Sequence, residues 1–198
     1  MADRGSLRWY GGTSQVVAVE KRGDVVYHTL DGPLPTANED VSGEIDWDHR
    51  YQMMRTHTAL HALCGVVWRD YGALVTGGNM EPGAGRMDFE FERMSGDLVD
   101  AIEATVNAEL AAEHDVKVAV LPREEAFAVP DLIRTKINLL PEGIDEIRTI
   151  EIVGLDLQAD GGTHVANTRE VGQIHVTGYE SKGRINKRIR IELVDPVA

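Results

Sequence analysis

The chain has 198 residues, 42% of them hydrophobic and 27% charged, which is typical of a soluble globular protein and excludes wholesale disorder. Its net charge of −13 disfavours a general nucleic-acid binder, because phosphate contacts dominate the affinity of such proteins. The single cysteine excludes a disulfide framework, no apolar run approaches the ~18 residues of a membrane span, and the N-terminus lacks a signal-peptide core. We therefore expect a cytoplasmic protein that binds neither membranes nor DNA.

The first predicted element is a β-hairpin. Two β-branched runs, at residues 16–19 and 25–30, flank the turn KRGD. The segment PLPTANEDVSGEI that follows is rich in turn formers and indicates a boundary near Glu44. We predict a small N-terminal β domain over residues 1–44 and a main domain over residues 45–198.

The main domain begins with a long predicted helix. Apolar and aromatic residues recur at helical spacing between Asp46, the expected N-cap, and Gly72, the expected end. Residues 73–85, ALVTGGNMEPGAG, predict a glycine-rich loop. The alternation in RMDFEFE then predicts a strand with one apolar face.

Helices and strands mix irregularly in the second half of the chain. Ser95 caps a predicted helix with apolar residues at every fourth position from 98 to 110, and a third helical piece follows Pro122. The remaining predicted strands cover residues 116–121, 147–155, 174–179 and 189–193. The predicted fold class is α+β, with a mainly antiparallel sheet packed with long helices.

Two pairs of residues have metal-ligand spacing. His57 and His61 in HTALH lie four residues apart on one face of the predicted helix, and Asp160 and His164 in DGGTH repeat the spacing. Three imidazole nitrogens and one carboxylate oxygen suit tetrahedral zinc and also other divalent ions. Two alternatives remain open: the histidines are surface or core residues, and Asp160 only fixes a turn by bonding the backbone of Gly162.

Four segments, in order, resemble the editing domain of alanyl-tRNA synthetase and the free-standing alanyl-tRNA editing proteins called AlaX. They are EIDWDHRYQMMRTHTALHAL, GRMDFEF, DGGTHVANTREVGQIHV and ESKGRINKRIRIEL, and the similarity extends over about residues 41–193. The resemblance implies a zinc-dependent esterase that removes wrongly attached serine, and often glycine, from the acceptor end of tRNA(Ala). Such an enzyme is an aminoacyl-tRNA deacylase.

Asp160 departs from that family pattern. The family has HxxxH followed by CxxxH, which His57, His61 and His164 match, whereas Asp160 stands where the family has cysteine. Three outcomes follow: Asp160 ligates the ion, the ion is held by three histidines and water, or the site is inactive. We favour the first, because a carboxylate keeps the negative charge at the same place.

Three polar residues are candidate catalytic or substrate-recognition groups. Thr76 in the predicted loop and Thr58 on the helix could recognise the serine hydroxyl, and Gln158 lies two residues before Asp160. Packing or surface roles are the alternative for the threonines. We interpret Cys64 as core packing rather than as a nucleophile.

One dense basic stretch is the candidate tRNA contact. Its cations are Lys182, Arg184, Lys187, Arg188 and Arg190. Phosphate would bind at such a cluster, and a solvated hairpin tip is the alternative. The resemblance favours contact with tRNA. Arg86 and Asp88 match a family motif, but a structural salt bridge explains them equally well.

The N-terminal segment WYGGTSQ resembles a remnant of the family's FYPxGGGQ segment, so we expect a shortened small β domain. Two other functions stay open. One is an editing hydrolase for another aminoacyl ester, and the other is a non-catalytic tRNA-binding or partner module whose metal site has lapsed.

Overall fold

The computed structural model describes residues 2–136 and 143–195. The chain divides into two compact units, residues 1–52 and 53–198, and the division falls inside the first helix, α1 (Trp47–Tyr71). The domain boundary at residue 44 stays a prediction. Within the described ranges, no helix combines the length and the apolar character needed to cross a bilayer.

The first unit contains a four-stranded antiparallel sheet in the order β3-β2-β1-β4. Its strands are β1 (Gly5–Trp9), β2 (Gly12–Arg22), β3 (Val25–Asp31) and β4 (Ser42–Ile45). The predicted hairpin is confirmed as β2 and β3, and Gly23 takes the positive φ of 60° that its turn requires. The strands β1 and β4 are too short and polar to show a clear alternation, so they were not predicted.

The helix α1 confirms the predicted long helix. The Asp46 side chain accepts a hydrogen bond from the amide of His49 at 3.1 Å, and Gly72 with φ of 63° follows the last helical residue. Between Met53 and Val67 nearly every side chain is buried. This part of the helix is therefore enclosed by protein, and any polar group on it must find a partner there.

The larger sheet of the second unit is antiparallel, in the order β10-β11-β6-β5. Its strands are β5 (Val75–Glu81), β6 (Ala84–Glu90), β10 (Gln173–Ser181) and β11 (Asn186–Val194). The predicted loop at residues 73–85 is wrong, because most of it forms β5 and the start of β6, which pair with each other. Gly85 pairs with Met80 and Ile191 in the sheet. Glycine suits this position because a Cβ would lie 3.1 Å from Cδ1 of Leu60.

The smaller sheet has the order β7-β8-β9. Its strands are β7 (Val116–Pro122), β8 (Glu146–Ile152) and β9 (Asp156–Ala159). The strand predicted at 147–155 ends at Ile152, because Gly154 with φ of 83° forms a turn that leads into the unpredicted β9. The helices are α2 (Gly96–Ala111), capped by Ser95 as predicted, and α3 (Arg123–Ala128), followed later by a 3-10 turn at Thr168–Val171.

The α+β class with antiparallel sheets is confirmed, but packing with long helices is not. Of the three α-helices described, α1 has 25 residues, α2 has 16 and α3 only six. Strands contribute more of the fold than the apolar periodicity indicated, because the glycine-rich and short polar strands carry no such signal.

Candidate metal centre

The helical half of the site consists of His57 and His61. Both side chains project from the same face of α1, and their ring centroids lie 5.0 Å apart. The His61 side chain is only 8% exposed, whereas that of His57 is 16% exposed. The Nδ1 atoms of both rings are buried and have no hydrogen-bond partner among the described residues.

The other half is the turn after β9, which carries Asp160 and His164. The Asp160 Oδ1 atom accepts a hydrogen bond from the amide of Gly162 at 2.5 Å. The guanidinium of Arg148 donates to the carbonyl oxygens of Asp160 and Gly162 at 2.9 and 2.7 Å. A Cβ at Gly162 would lie 2.4 Å from Cε1 of His57, so only glycine allows the turn to approach the helix this closely.

The two halves meet in a single cluster. One potential ligand atom from each of His57, His61, Asp160 and His164 lies within 4.8 Å of all the others. The Asp160 Oδ2 atom is 3.4 Å from Nε2 of His57 and 3.7 Å from Nε2 of His61, and Oδ1 is 3.4 Å from Nε2 of His164. One oxygen of Asp160 therefore fixes the turn, as considered above, and the other faces the two helical histidines.

These separations fit a tetrahedral ion. Ligands at ~2.0–2.1 Å from a zinc ion stand about 3.3–3.4 Å from one another. The Oδ2 atom of Asp160 lies 3.4 and 3.7 Å from Nε2 of His57 and His61, which is close to that separation, whereas the 3.4 Å to Nε2 of His164 is measured from Oδ1. The donor set of the chain therefore accommodates one divalent cation.

Thr58 contacts the cluster from the side. Its Oγ1 lies 3.1 Å from Nδ1 of His164 and accepts a bond from the amide of Val165 at 3.3 Å. Because Nε2 of His164 faces Asp160, the bond to Thr58 suits the tautomer that carries its proton on Nδ1. The hydroxyl predicted to recognise serine is thus in contact with a candidate ligand.

Burial and charge set the ionisation of the cluster. Burial lowers the pKa of His164 to about 3, although its contact with Asp160 opposes the shift, so the ring is neutral at pH 7. Burial alone would raise the pKa of Asp160, but contacts with His164, His57 and His61 together hold it well below its usual range. Neutral imidazoles beside an ionised carboxylate are the states that bind a metal.

A second carboxylate, Asp156, lies behind His61. Its side chain is fully buried. The Oδ2 atom accepts a hydrogen bond from the side-chain amide of Gln158 and lies 3.7 Å from Nδ1 of His61. Arg134 approaches Oδ1 with its Nε at 3.4 Å and stacks over the ring of Trp68. Burial raises the pKa of Asp156, while Gln158, His61 and Arg134 oppose that shift.

The other predicted site residues lie in different surroundings. Thr76 is exposed on β5, and its hydroxyl donates to Asn186 at 2.7 Å rather than to a member of the cluster. Cys64 is 1% exposed, and burial raises the pKa of its thiol, as expected of a packing residue rather than a nucleophile.

The basic stretch is divided between the surface and the interior. The Lys187 side chain is buried, and its ammonium donates to the carbonyls of Gly183 and Arg184. Arg188 donates two hydrogen bonds to Asp88, at 2.7 and 2.8 Å, so its charge is engaged within the protein. Lys182 and Arg184 are exposed, Lys182 beside Glu180 at 3.3 Å. Contact with tRNA stays a prediction for all four residues.

A cleft that no motif predicted lies beside the turn between β10 and β11. It has a volume of about 800 Å³ and is lined by Arg93, Ser95, Ser181 and Arg184, among others. Arg93 lies far from the basic stretch in the chain, so only the fold brings it there. Asp156 and Arg148 were missed for the same reason, because each acts through residues distant in sequence. The bond between Asp160 and the amide of Gly162 was predicted, but the close approach of Gly162 to His57 was not.

An α+β fold that brings three histidines and one carboxylate to a single point defines a protein with a candidate metal centre. Residues 147–190 match the family described as threonyl and alanyl tRNA synthetase second additional domain. The alanyl-tRNA editing protein AlaX-M of Saccharolobus solfataricus is 40% identical over 173 residues, which is 85% of this chain and 72% of that protein. The AlaX-M protein of Methanosarcina barkeri is 33% identical, over 93% of this chain and 78% of its own.

A larger protein matches over only part of its length. The alanine–tRNA ligase of Pyrobaculum aerophilum is 36% identical over 90% of this chain, but the match covers 21% of the ligase. The two AlaX-M proteins, in contrast, are covered over more than two thirds of their lengths. The chain belongs to the AlaX-M family of alanyl-tRNA editing proteins.

Proposed function

We propose that the chain is an aminoacyl-tRNA deacylase that hydrolyses the ester of serine, and secondarily of glycine, on tRNA(Ala). The observation that carries this proposal is the cluster of His57, His61, Asp160 and His164, with separations that suit one divalent ion. Membership of a family of alanyl-tRNA editing proteins supports the substrate. The chemistry is the hydrolysis of a carboxylic ester.

The proposed ion is zinc, held by the three Nε2 atoms and a carboxylate oxygen of Asp160. When bound there, a divalent cation supplies a Lewis acid that polarises water or an ester carbonyl. The carboxylate of Asp160 offsets part of the charge of the ion, and neutral histidines supply the remaining electron pairs. His57 and Asp160 are the more exposed members, with side chains 16% and 23% exposed, so the ester would approach from their side.

The biological need follows from the small difference between serine and alanine. A pocket built for alanine rejects the additional hydroxyl only weakly, and a second hydrolytic site is the usual remedy. Thr58 contacts the candidate ligand His164, and Gln158 contacts Asp156 behind His61. We therefore assign both residues a role in positioning the metal centre. Thr76 remains the candidate for the serine hydroxyl, and Thr76→Val should then reduce hydrolysis of the seryl ester more than that of the glycyl ester.

We propose that the acceptor end of tRNA binds at the cleft beside the β10–β11 turn. Arg93 and Arg184 line this cleft, and neither has an ion pair among the described residues. Replacing either by alanine should weaken tRNA binding and reduce the slope of log affinity against log salt by about 1. Lys21→Ala is the matched control, because Lys21 is an exposed cation on β2. Equal losses in all three variants would contradict this assignment.

The deciding experiment measures deacylation of Ser-tRNA(Ala), Gly-tRNA(Ala) and Ala-tRNA(Ala) together with zinc content. Asp160→Ala should lose most of its bound metal and activity, whereas Asp160→Cys should keep both, because thiolate is also a good zinc ligand. His175→Ala, at an exposed histidine paired with Glu103, should behave as the wild type.

Other results would favour the alternatives. A wild-type protein without metal that cleaves no ester after zinc is added would be a non-catalytic tRNA-binding module. Faster hydrolysis of a threonyl ester would indicate an editing hydrolase of another specificity. Full activity in Asp160→Ala would mean that the three histidines suffice.

A further inference from the structure

Behind the metal cluster, His61 presents a ring nitrogen to the interior of the protein. Its Nε2 faces Asp160, so its Nδ1 points away from the proposed ion. This Nδ1 is buried and makes no hydrogen bond to any described residue. A neutral histidine that ligates through Nε2 carries a proton on Nδ1, and a buried donor without a partner is costly. His61 therefore requires an acceptor at this position.

The carboxylate of Asp156 faces this nitrogen. Its Oδ2 lies 3.7 Å from Nδ1 of His61, which is about 0.7–0.8 Å longer than a normal hydrogen bond. The carboxylate is completely buried, a position that is unfavourable for a charge unless several groups stabilise it. Packing alone does not offset the cost of burying a carboxylate, so this one requires a specific interaction.

The surroundings hold this carboxylate in place. Gln158 donates to Oδ2, and Arg134 approaches Oδ1 at 3.4 Å while its guanidinium lies 4.9 Å from the centroid of the Trp68 ring. On the helix side, the residue one turn after His61 is Gly65. A Cβ there would lie 2.8 Å from Cβ of Asp156, so the glycine makes room for the aspartate.

We propose that Asp156 is a positioning residue of the metal centre, which accepts the Nδ1 proton of His61 and thereby fixes the tautomer and orientation of that ligand. This role rests on the proposed metal site and extends it beyond the four ligands. A cation on Nε2 would make the Nδ1 proton a stronger donor and draw it toward the carboxylate. Mutation of a group that orients a metal ligand in this way commonly lowers metal affinity about 10- to 100-fold.

The first test measures zinc affinity by competition with a chromophoric chelator, on the full chain. Asp156→Asn should raise the dissociation constant of zinc about 10-fold or more, because an amide oxygen accepts more weakly than a carboxylate. Asp88→Asn is the matched control, because Asp88 is also a buried carboxylate bound by arginine. An unchanged zinc affinity in a folded Asp156→Asn protein overturns the proposal, as does an equal loss in Asp88→Asn.

The second test uses the wild type, so it does not depend on how a variant folds. Long-range proton–nitrogen NMR of the zinc-loaded, 15N-histidine-labelled protein reports which ring nitrogen of His61 is protonated. We expect a proton on Nδ1 that resonates downfield and exchanges with water much more slowly than the ring protons of the exposed His28. Coordination through Nδ1, or exchange as fast as that of His28, would refute the role of Asp156.

The two proposals fail in different ways. If the wild type binds no zinc, both the proposed metal centre and the proposed deacylase are refuted. A wild type that binds zinc, with Asp156→Asn binding it equally well, leaves the deacylase intact and removes only the positioning role.

Discussion

In the second unit, Asp88 on the larger sheet and the two aspartates at the metal cluster have different partners. On the larger sheet, Asp88 receives two hydrogen bonds from Arg188, at 2.7 and 2.8 Å, and a third from Arg86 at 3.1 Å. At the cluster, Asp156 and Asp160 face imidazole nitrogens at 3.4–3.7 Å. Asp88 has hydrogen bonds of normal length to two guanidinium groups, whereas Asp160 faces imidazole nitrogens at about the separation of two ligands of one ion.

This difference separates a structural network from a binding site. The guanidinium of Arg188 holds the pKa of Asp88 below its usual range against the opposing effect of burial, so the folded state itself stabilises the charge. At the cluster, oxygens of Asp160 face the Nε2 atoms of three histidines at 3.4–3.7 Å. A cation would find electron-pair donors between these atoms, whereas Asp88 already has its cationic partners.

Among substitutions outside the four candidate ligands, the largest expected effect on metal affinity comes from Gly162→Ala. The new methyl group would stand 2.4 Å from Cε1 and 2.6 Å from Nδ1 of His57, which must move away. We expect zinc affinity to fall about 100-fold. Gly161→Ala is the matched control, since a Cβ there meets nothing within 4 Å. Calorimetric titration with zinc would measure both, and similar affinities would show that the turn can relax.

A smaller effect is expected from Thr58→Val, which removes the hydroxyl beside Nδ1 of His164 and leaves the ring less well oriented. Zinc affinity should fall about 10-fold. The control is Thr56→Val on the same helix, because the Thr56 hydroxyl accepts from the amide of Gly83 and lies outside the cluster. Both variants should lose stability in thermal unfolding, but only Thr58→Val should lose metal affinity.

Asp88→Asn is expected to leave metal affinity unchanged. This change should instead lower the free energy of unfolding by about 1.5–3 kcal/mol at pH 7, because two arginines lose a charged acceptor. The folded-state pKa of Asp88 is lowered, so its contribution is complete above the unfolded pKa of about 3.9 and disappears as the pH falls through the folded value. Urea unfolding of both proteins between pH 7 and pH 2 should therefore converge at the acid end.

The ligands could be predicted from sequence because each pair is local. Four-residue spacing on a helix places His57 over His61, and the same spacing in a turn places Asp160 near His164. The groups that hold them could not be predicted in this way. Arg148 and Asp156 act on the ligands through contacts formed only when β8 and β9 pair and meet α1.

In the basic stretch, the alternation of inward and outward side chains could have shown that Lys187 is buried, but the cluster of positive charges suggested a surface instead. Side chains alternate along β11, so Lys187 shares the inward face with Ile189 and Ile191, all three of them buried. Counting charges alone treated Lys187 as a surface cation. For β5, Gly77 and Gly78 hid the strand, because glycine has no side chain to contribute to an apolar alternation.

The close approach of Gly65 to Asp156 also makes substitutions at the two positions depend on each other. Alanine is favoured over glycine inside a helix by about 1 kcal/mol, so Gly65→Ala would ordinarily be a gain. Here the added methyl group would press on Cβ of Asp156 at 2.8 Å. Every side chain except glycine keeps a Cβ at position 156, and Cγ of Leu155 would stand 3.1 Å away as well, so the chain after β8 would have to move. A protein that holds the carboxylate of Asp156 against His61 therefore depends on glycine at position 65.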